Sequence, residues 1–123
     1  MALSLSTIVY DTFTRNALRD ALDTAINSGS APVVMLYSST PTLLATVPLD
    51  TTDAFTTSSP GLLTLNAAPR TVNAVATGVP VTYELRIDAP SGQIIATGTV
   101  TGGDTINSGQ PVNLTAMTIT IGA

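Results

Sequence analysis

Residues 79–88 read Val-Pro-Val-Thr-Tyr-Glu-Leu-Arg-Ile-Asp, and from Val81 onward the alternation is strict. Val81, Tyr83, Leu85 and Ile87 fall on one side, with Thr82, Glu84, Arg86 and Asp88 on the other. A side-chain period of two is that of a β-strand with one covered and one open face; a helix would scatter these residues around its axis. Ala89-Pro90-Ser91-Gly92 follows, with Pro at the second and Gly at the fourth place of a turn. Residues 93–101 then return as a partner strand, with Ile94, Ala96, Gly98 and Val100 on its inner side. An antiparallel hairpin of this length commits the surrounding chain to sheet.

Other segments supply more strands. Val33-Val34-Met35-Leu36-Tyr37 is apolar on both sides, as a doubly covered strand would be. Ser39-Thr40-Pro41-Thr42 is a turn, and residues 43–47 form the next strand. A polar segment runs through Asp50 and Asp53 to Ser59, and Pro60-Gly61 ends it. Residues 62–65 and 71–77 are short strand candidates. In the last strand, residues 111–121, the inner set is Val112, Leu114 and Ala116, then Met117, Ile119 and Ile121. That change of parity predicts a bulge at which the strand bends from one sheet into another. About seven or eight strands at this spacing predict a mainly β fold, a jelly roll or β-sandwich over residues 33–121. No linker-like stretch divides residues 1–123, so one domain is expected.

One segment breaks the pattern. Over residues 10–28, Leu18, Ala21, Leu22, Ala25 and Ile26 recur at the helical period, and Phe13 and Ala17 extend the stripe. Asp11 with Arg15, and Arg19 with Asp23, stand four apart on the opposite side, where exposed pairing is expected. Asn27-Ser28-Gly29 reads as a helix stop, with Gly29 in the left-handed C-terminal position. The helix is expected to lay its apolar stripe over an open edge or mouth of the sandwich. Residues 1–9 precede it as an arm or edge strand, with Leu3 and Leu5 facing one way.

The residue inventory excludes most chemistry. His, Cys and Lys are all absent, which removes Ser-His-Asp, Cys-His and Schiff-base catalysis. Glu84 and Asp88 share a strand face, but Arg86 stands between them, so a polar surface explains the triplet better than a catalytic pair. Asp50 and Asp53 lack the spacing of a calcium loop. No phosphate-binding loop is present, and no catalytic residue, cofactor or metal site is expected. The cations are Arg15, Arg19, Arg70 and Arg86, and the net charge is −4, so no basic stripe exists for nucleic acid. No apolar run approaches the ~20 residues that span a bilayer, and the first residues lack the positive charge that opens a secretory signal. Charged residues make up 10% of the chain. A surface of Thr, Ser and Asn loses less on desolvation than one of long charged side chains, which suits a subunit buried in an assembly; a stable, weakly charged monomer with a Thr-rich sheet exterior is the alternative.

The chain resembles a family of small virion proteins of tailed phages, the capsid cement or decoration proteins. The resemblance rests on Met1-Ala2-Leu3-Ser4-Leu5-Ser6-Thr7, Asn16-Ala17-Leu18-Arg19-Asp20-Ala21-Leu22 and Leu43-Leu44-Ala45-Thr46. It continues through Tyr83-Glu84-Leu85-Arg86-Ile87-Asp88, Ser91-Gly92, Gly98-Thr99-Val100 and Met117-Thr118-Ile119-Thr120-Ile121. It departs in the segment from Thr51 to Ser59, polar here where similar chains are Gly-rich. The resemblance implies a jelly-roll-like fold and a place on the capsid exterior after synthesis in the host cytoplasm. It implies the major capsid protein as partner, and self-association as a homodimer or homotrimer. Burial of Leu3 and Leu5 on a neighbour, and polar contacts through Arg70, Glu84 and Arg86, are the expected means. A receptor- or carbohydrate-binding sandwich from a phage tail, neck or fibre is the other class to weigh. Five aromatic residues in all argue against a sugar-stacking platform.

Overall fold

A computed structural model describes residues 2–5, 9–57, 60–88, 92–101 and 103–121. The chain is mainly β with one N-terminal helix, α1 (Thr12–Asn27). Nine strands follow among the described residues: β1 (Val33–Tyr37), β2 (Leu43–Pro48), β3 (Phe55–Thr57), β4 (Leu62–Leu65), β5 (Arg70–Asn73), β6 (Thr82–Arg86), β7 (Ile94–Thr99), β8 (Pro111–Leu114) and β9 (Thr118–Thr120). They form antiparallel sheets ordered β2-β1-β6-β7, β3-β4-β9 and β5-β8, an arrangement compatible with a β-sandwich.

The expected hairpin is β6–β7. Ile87 donates its N–H to the Gln93 carbonyl, and Gly92 donates to that of Asp88. Residues 89–91, the body of the predicted turn, lie outside the described residues. Leu85 pairs with Ala96 and Tyr83 with Gly98, as the alternation requires. A register shift beside Arg86 then corrects the return strand. Ile94 pairs with Arg86 and is exposed, while Ile95 reaches the core.

The parity change near Ala116 marks a true crossing. β8 pairs with β5, β9 pairs with β4, and a break rather than a single bulge separates them. The strand expected over residues 71–77 is shorter and ends at Asn73. The polar segment before Pro60 hides a strand, β3. Its Phe55 is fully buried in one core cluster with Ile26, Val34, Val47, Leu63, Leu65 and Leu85.

Only part of the expected apolar stripe of the helix turns inward. It packs on β3 and β4 through Leu22 and Ile26. The rest of its inward side is polar. The Arg15 guanidinium donates to the carbonyls of Ile121 at 2.9 Å and Pro60 at 3.4 Å. Asn16 accepts from the Gly61 N–H at 3.0 Å. Asn27 donates to Asp53 at 3.2 Å and accepts from the Ala54 N–H at 3.2 Å. These bonds satisfy loop groups that the small sheet leaves open, which a row of apolar side chains would have stranded. Phe13, Ala17, Leu18, Ala21 and Ala25 face outward in consequence. Asp11 caps the helix by accepting from the Thr14 N–H at 2.9 Å, and Arg19 pairs with Asp20 at 2.9 Å. Ser28, not a left-handed glycine, is the C-cap.

A carboxylate latch joins the helix exit to the end of β6. One oxygen of Asp88 accepts from the Ser30 N–H at 2.7 Å, the Ser30 hydroxyl at 3.0 Å and the Ala31 N–H at 2.9 Å. The Ala31 N–H above all, then the Ser30 donors, hold the Asp88 carboxyl below its ordinary value of 3.8. A folded-state pKa lower than the unfolded one stabilises the fold above the unfolded value, and that contribution is lost as pH falls through the folded value. Acidification below about pH 4 is therefore expected to lower the melting midpoint. Asp88→Asn keeps an acceptor without the charge. It should lower the midpoint at neutral pH and flatten the acid limb, and an acid limb as steep as wild type would show that Asp88 is no latch.

Candidate interaction surface

The structure distributes the five expected contact residues over three places. Leu3 and Leu5 lie within residues 2–5, which belong to no helix or strand, and are 77% and 89% exposed. Residues 6–8, the remainder of the expected arm, lie outside the described residues. Arg70 belongs to the fold: its guanidinium donates to the Pro48 carbonyl at 2.9 Å and ties β5 to the end of β2.

Glu84 and Arg86 come together on the outer face of the four-stranded sheet. Arg86 donates to Glu84 at 2.8 and 3.2 Å and to the Gly92 carbonyl at 3.3 Å. The Tyr37 hydroxyl donates to the same carboxylate oxygen at 2.8 Å. The β1–β6 register places Met35 opposite Glu84 and Tyr37 opposite Thr82, so the phenol reaches diagonally. β1 is covered on both sides at Val33, Val34 and Met35, as its sequence predicts; sequence reasoning missed Tyr37 because an apolar run gives no sign that its last residue reaches a polar pair on the next strand. Arg86, and then Tyr37, hold the Glu84 carboxyl below its ordinary value. Burial, and then Glu84, push the Tyr37 phenol up.

Beside Tyr37 and Glu84 lies an open depression of about 510 Å³, lined also by Pro41, Thr82, Tyr83 and Thr97 among others. It is poorly suited to proton transfer. A general acid working near neutral pH needs a raised carboxyl, and this one is lowered and held by three donor bonds. Asp88, the other carboxylate on that strand face, is occupied by Ser30 and Ala31. Asp50 shapes its own loop by accepting from the N–H groups of Thr52 at 2.8 Å and Asp53 at 3.1 Å. Among the described residues, no group of three or more acidic side chains is placed to hold a metal ion. No helix among them is long and apolar enough to cross a membrane.

What the molecule presents most openly is apolar surface at its N-terminal end. Besides Leu3 and Leu5, Val9 is 69% and Phe13 83% exposed, and Tyr10 and Leu18 are also open to solvent. A single exposed leucine would mean nothing; a run of large apolar side chains over one stretch of chain is the mark of a contact surface. Comparison of the chain with protein-family models, curated proteins and solved structures finds no match.

Proposed function

We propose that the chain is a structural virion protein of a tailed phage, a capsid cement protein that bridges neighbouring capsomers on the outside of the shell. The observation that carries this reading is the exposure of Leu3, Leu5, Val9 and Phe13 near the N-terminal end of a sheet domain with few charges. Leu3 and Leu5 stand two apart, so both meet one surface when this part of the chain lies extended along a neighbour. Each contact is small, but many symmetric copies on one shell add by avidity. The major capsid protein is the partner in this reading.

Quantitative mass spectrometry of purified virions tests it. A copy number comparable to that of the major capsid protein is expected. A handful of copies, or none, would sink the shell role. It would favour a receptor- or carbohydrate-binding module, for which the depression at Tyr37 and Tyr83 is the place to look. Removal of residues 1–7 should weaken capsid binding at least tenfold while leaving the melting midpoint in place. Wild-type affinity in the truncated chain would count against the arm.

A further inference from the structure

The sheets leave their edges in different states. In the large sheet, β2 is flanked by β5 and the residues after it: Val75 donates its N–H to the Leu44 carbonyl at 2.8 Å, and Arg70 reaches the Pro48 carbonyl. In the other sheets, β3 and β9 are three residues long and β8 opens on a proline. The second edge of the large sheet is β7, Ile94-Ile95-Ala96-Thr97-Gly98-Thr99, with no charge and no proline. Among the described residues no further strand lies beside it. The Val100 N–H bonds to the Val81 carbonyl at 2.9 Å, and Tyr83 pairs with Gly98. The alternation of an antiparallel ladder then turns Ala96 and Gly98 toward β6, and directs the N–H and C=O groups of Thr97 and Thr99 away from the sheet. An edge of this length without a guarding charge or proline is a template for one more strand.

A depression lies on each face beside this edge. The outer one, of about 510 Å³, is lined by Glu84, Thr97 and Thr99. The inner one, of about 280 Å³, is walled by Leu36, Tyr83, Leu114 and Met117, and it too reaches Thr99. The Tyr83 ring lies across Gly98, where a Cβ would stand 2.5 Å from its Cζ, so the inner side of the edge offers a bare ring. On the outer side, the bonds from Tyr37 and Arg86 all converge on Oε1 of Glu84, which leaves Oε2 without a donor among the described residues.

We infer that β7 receives an extended segment of another protein, added antiparallel as a fifth strand of the large sheet, whose side chains alternate between a hydrogen-bond donor and an apolar group. The outward amides and carbonyls of Thr97 and Thr99 recur at the spacing of a peptide strand, which sets the class of partner. Successive side chains of that strand point to opposite faces, so one set meets the outer depression and the other the inner. In antiparallel pairing, the residues that exchange bonds with Thr97 and Thr99 share their face, the one on which Glu84 stands opposite Thr97. Those residues carry the donors, for Oε2 of Glu84. The residues between them carry the apolar groups, for Tyr83 and Met117. A cationic donor suits a chain of net charge −4 that has no lysine of its own. The inference does not depend on the virion role.

The probe is a blocked pentapeptide, acetyl-Val-Lys-Val-Lys-Val-amide, titrated into the isotope-labelled full chain and followed by NMR. Saturable shifts are expected along β7, with slowed hydrogen exchange at the Thr97 and Thr99 amides. N-methylation of both lysine amides blocks the groups that face β7 and should weaken binding about tenfold or more, whereas N-methylation of the two valines that follow the lysines should change it less than about threefold. The two methylated probes carry equal charge, which separates strand pairing from mere attraction of lysine to an acidic chain. Thr97→Pro removes an outward N–H at a place where an edge strand tolerates proline, and should abolish binding with the melting midpoint close to wild type. Should that variant fail to fold, the methylated pair still decides. Equal affinity of the two methylated probes overturns the inference, as do shifts confined to other strands or no binding at millimolar peptide. A chain that dimerises without the probe, and that Thr97→Pro makes monomeric, also overturns it, because the occupant is then a second copy.

Discussion

Phe55→Ala is expected to lower the unfolding free energy by about 3–5 kcal/mol, the usual effect of emptying a fully buried phenylalanine site. Domains of this kind have about 5–15 kcal/mol in total, so the variant stands near the edge of folding. At this chain length the loss corresponds to a fall in melting midpoint of about 10–20 °C. The reason lies in where β3 sits. Phe55 is fully buried and belongs to the cluster that joins the helix, through Ile26, to Leu63 and Leu65 of β4 and to Leu85 of the large sheet. Its neighbours come from three separate layers, so the cavity cannot close by a shift of one element. Phe13→Ala removes the same ring from a site 83% exposed and should leave the unfolding free energy of the dilute chain within about 0.5 kcal/mol of wild type. Equal midpoints for Phe55→Ala and wild type would mean that β3 is not part of the core.

Phe55 also shows where sequence reasoning stops. The β6–β7 hairpin was legible because alternation, turn residues and return strand agree over more than twenty positions. The crossing between β8 and β9 was legible because a parity change has one cheap physical meaning. β3 was not, because three residues give no period, and only Phe55 distinguishes Phe55-Thr56-Thr57 from the polar segment around it. The return strand was misread at one position, since a register shift beside Arg86 is set by pairing across strands and leaves no local mark.

The helix was legible in its place and in Leu22 and Ile26, but the rest of its inward side was not, for another reason. Its apolar residues do recur at the helical period, but so do Arg15, Asn16, Arg19, Asp23 and Asn27. Periodicity says that two faces differ; it does not say which of them the sheet needs. Here the small sheet presents loop carbonyls and N–H groups at Pro60, Gly61, Ile121 and Ala54, and the polar face answers them. Of the expected contact residues, Leu3 and Leu5 were legible as exposed apolar residues. Glu84 and Arg86 were legible as an outer-face pair, whereas Tyr37 and the outward apolar residues of α1 required the fold.

Gly29→Ala should lower the unfolding free energy by about 1–3 kcal/mol, and more if the chain cannot relax. The sequence gives one account of this glycine and the structure another. As a helix-stop glycine it would hold a left-handed backbone, and Asn would replace it with little loss. It does not hold one: the described glycines with that backbone are Gly61 and Gly109. What Gly29 does is let the chain leaving α1 pass against β6. A Cβ there would overlap the Ile87 carbonyl oxygen and lie 2.6 Å from its carbonyl carbon. Both are backbone atoms of the residue that precedes the Asp88 latch, so neither can swing aside as a side-chain tip would. Gly29→Asn should therefore be as harmful as Gly29→Ala in urea titrations, with the denaturant slope unchanged in both. Tolerance of Asn beside a damaging Ala would restore the helix-stop account. The overlap also acts on the latch, because pushing residue 29 away from Ile87 draws Ser30 and Ala31 off the Asp88 carboxylate. Gly29→Ala should thus flatten the acid limb as Asp88→Asn does, and the double variant should lose less than the two single losses added together, as neighbours sharing one set of bonds do.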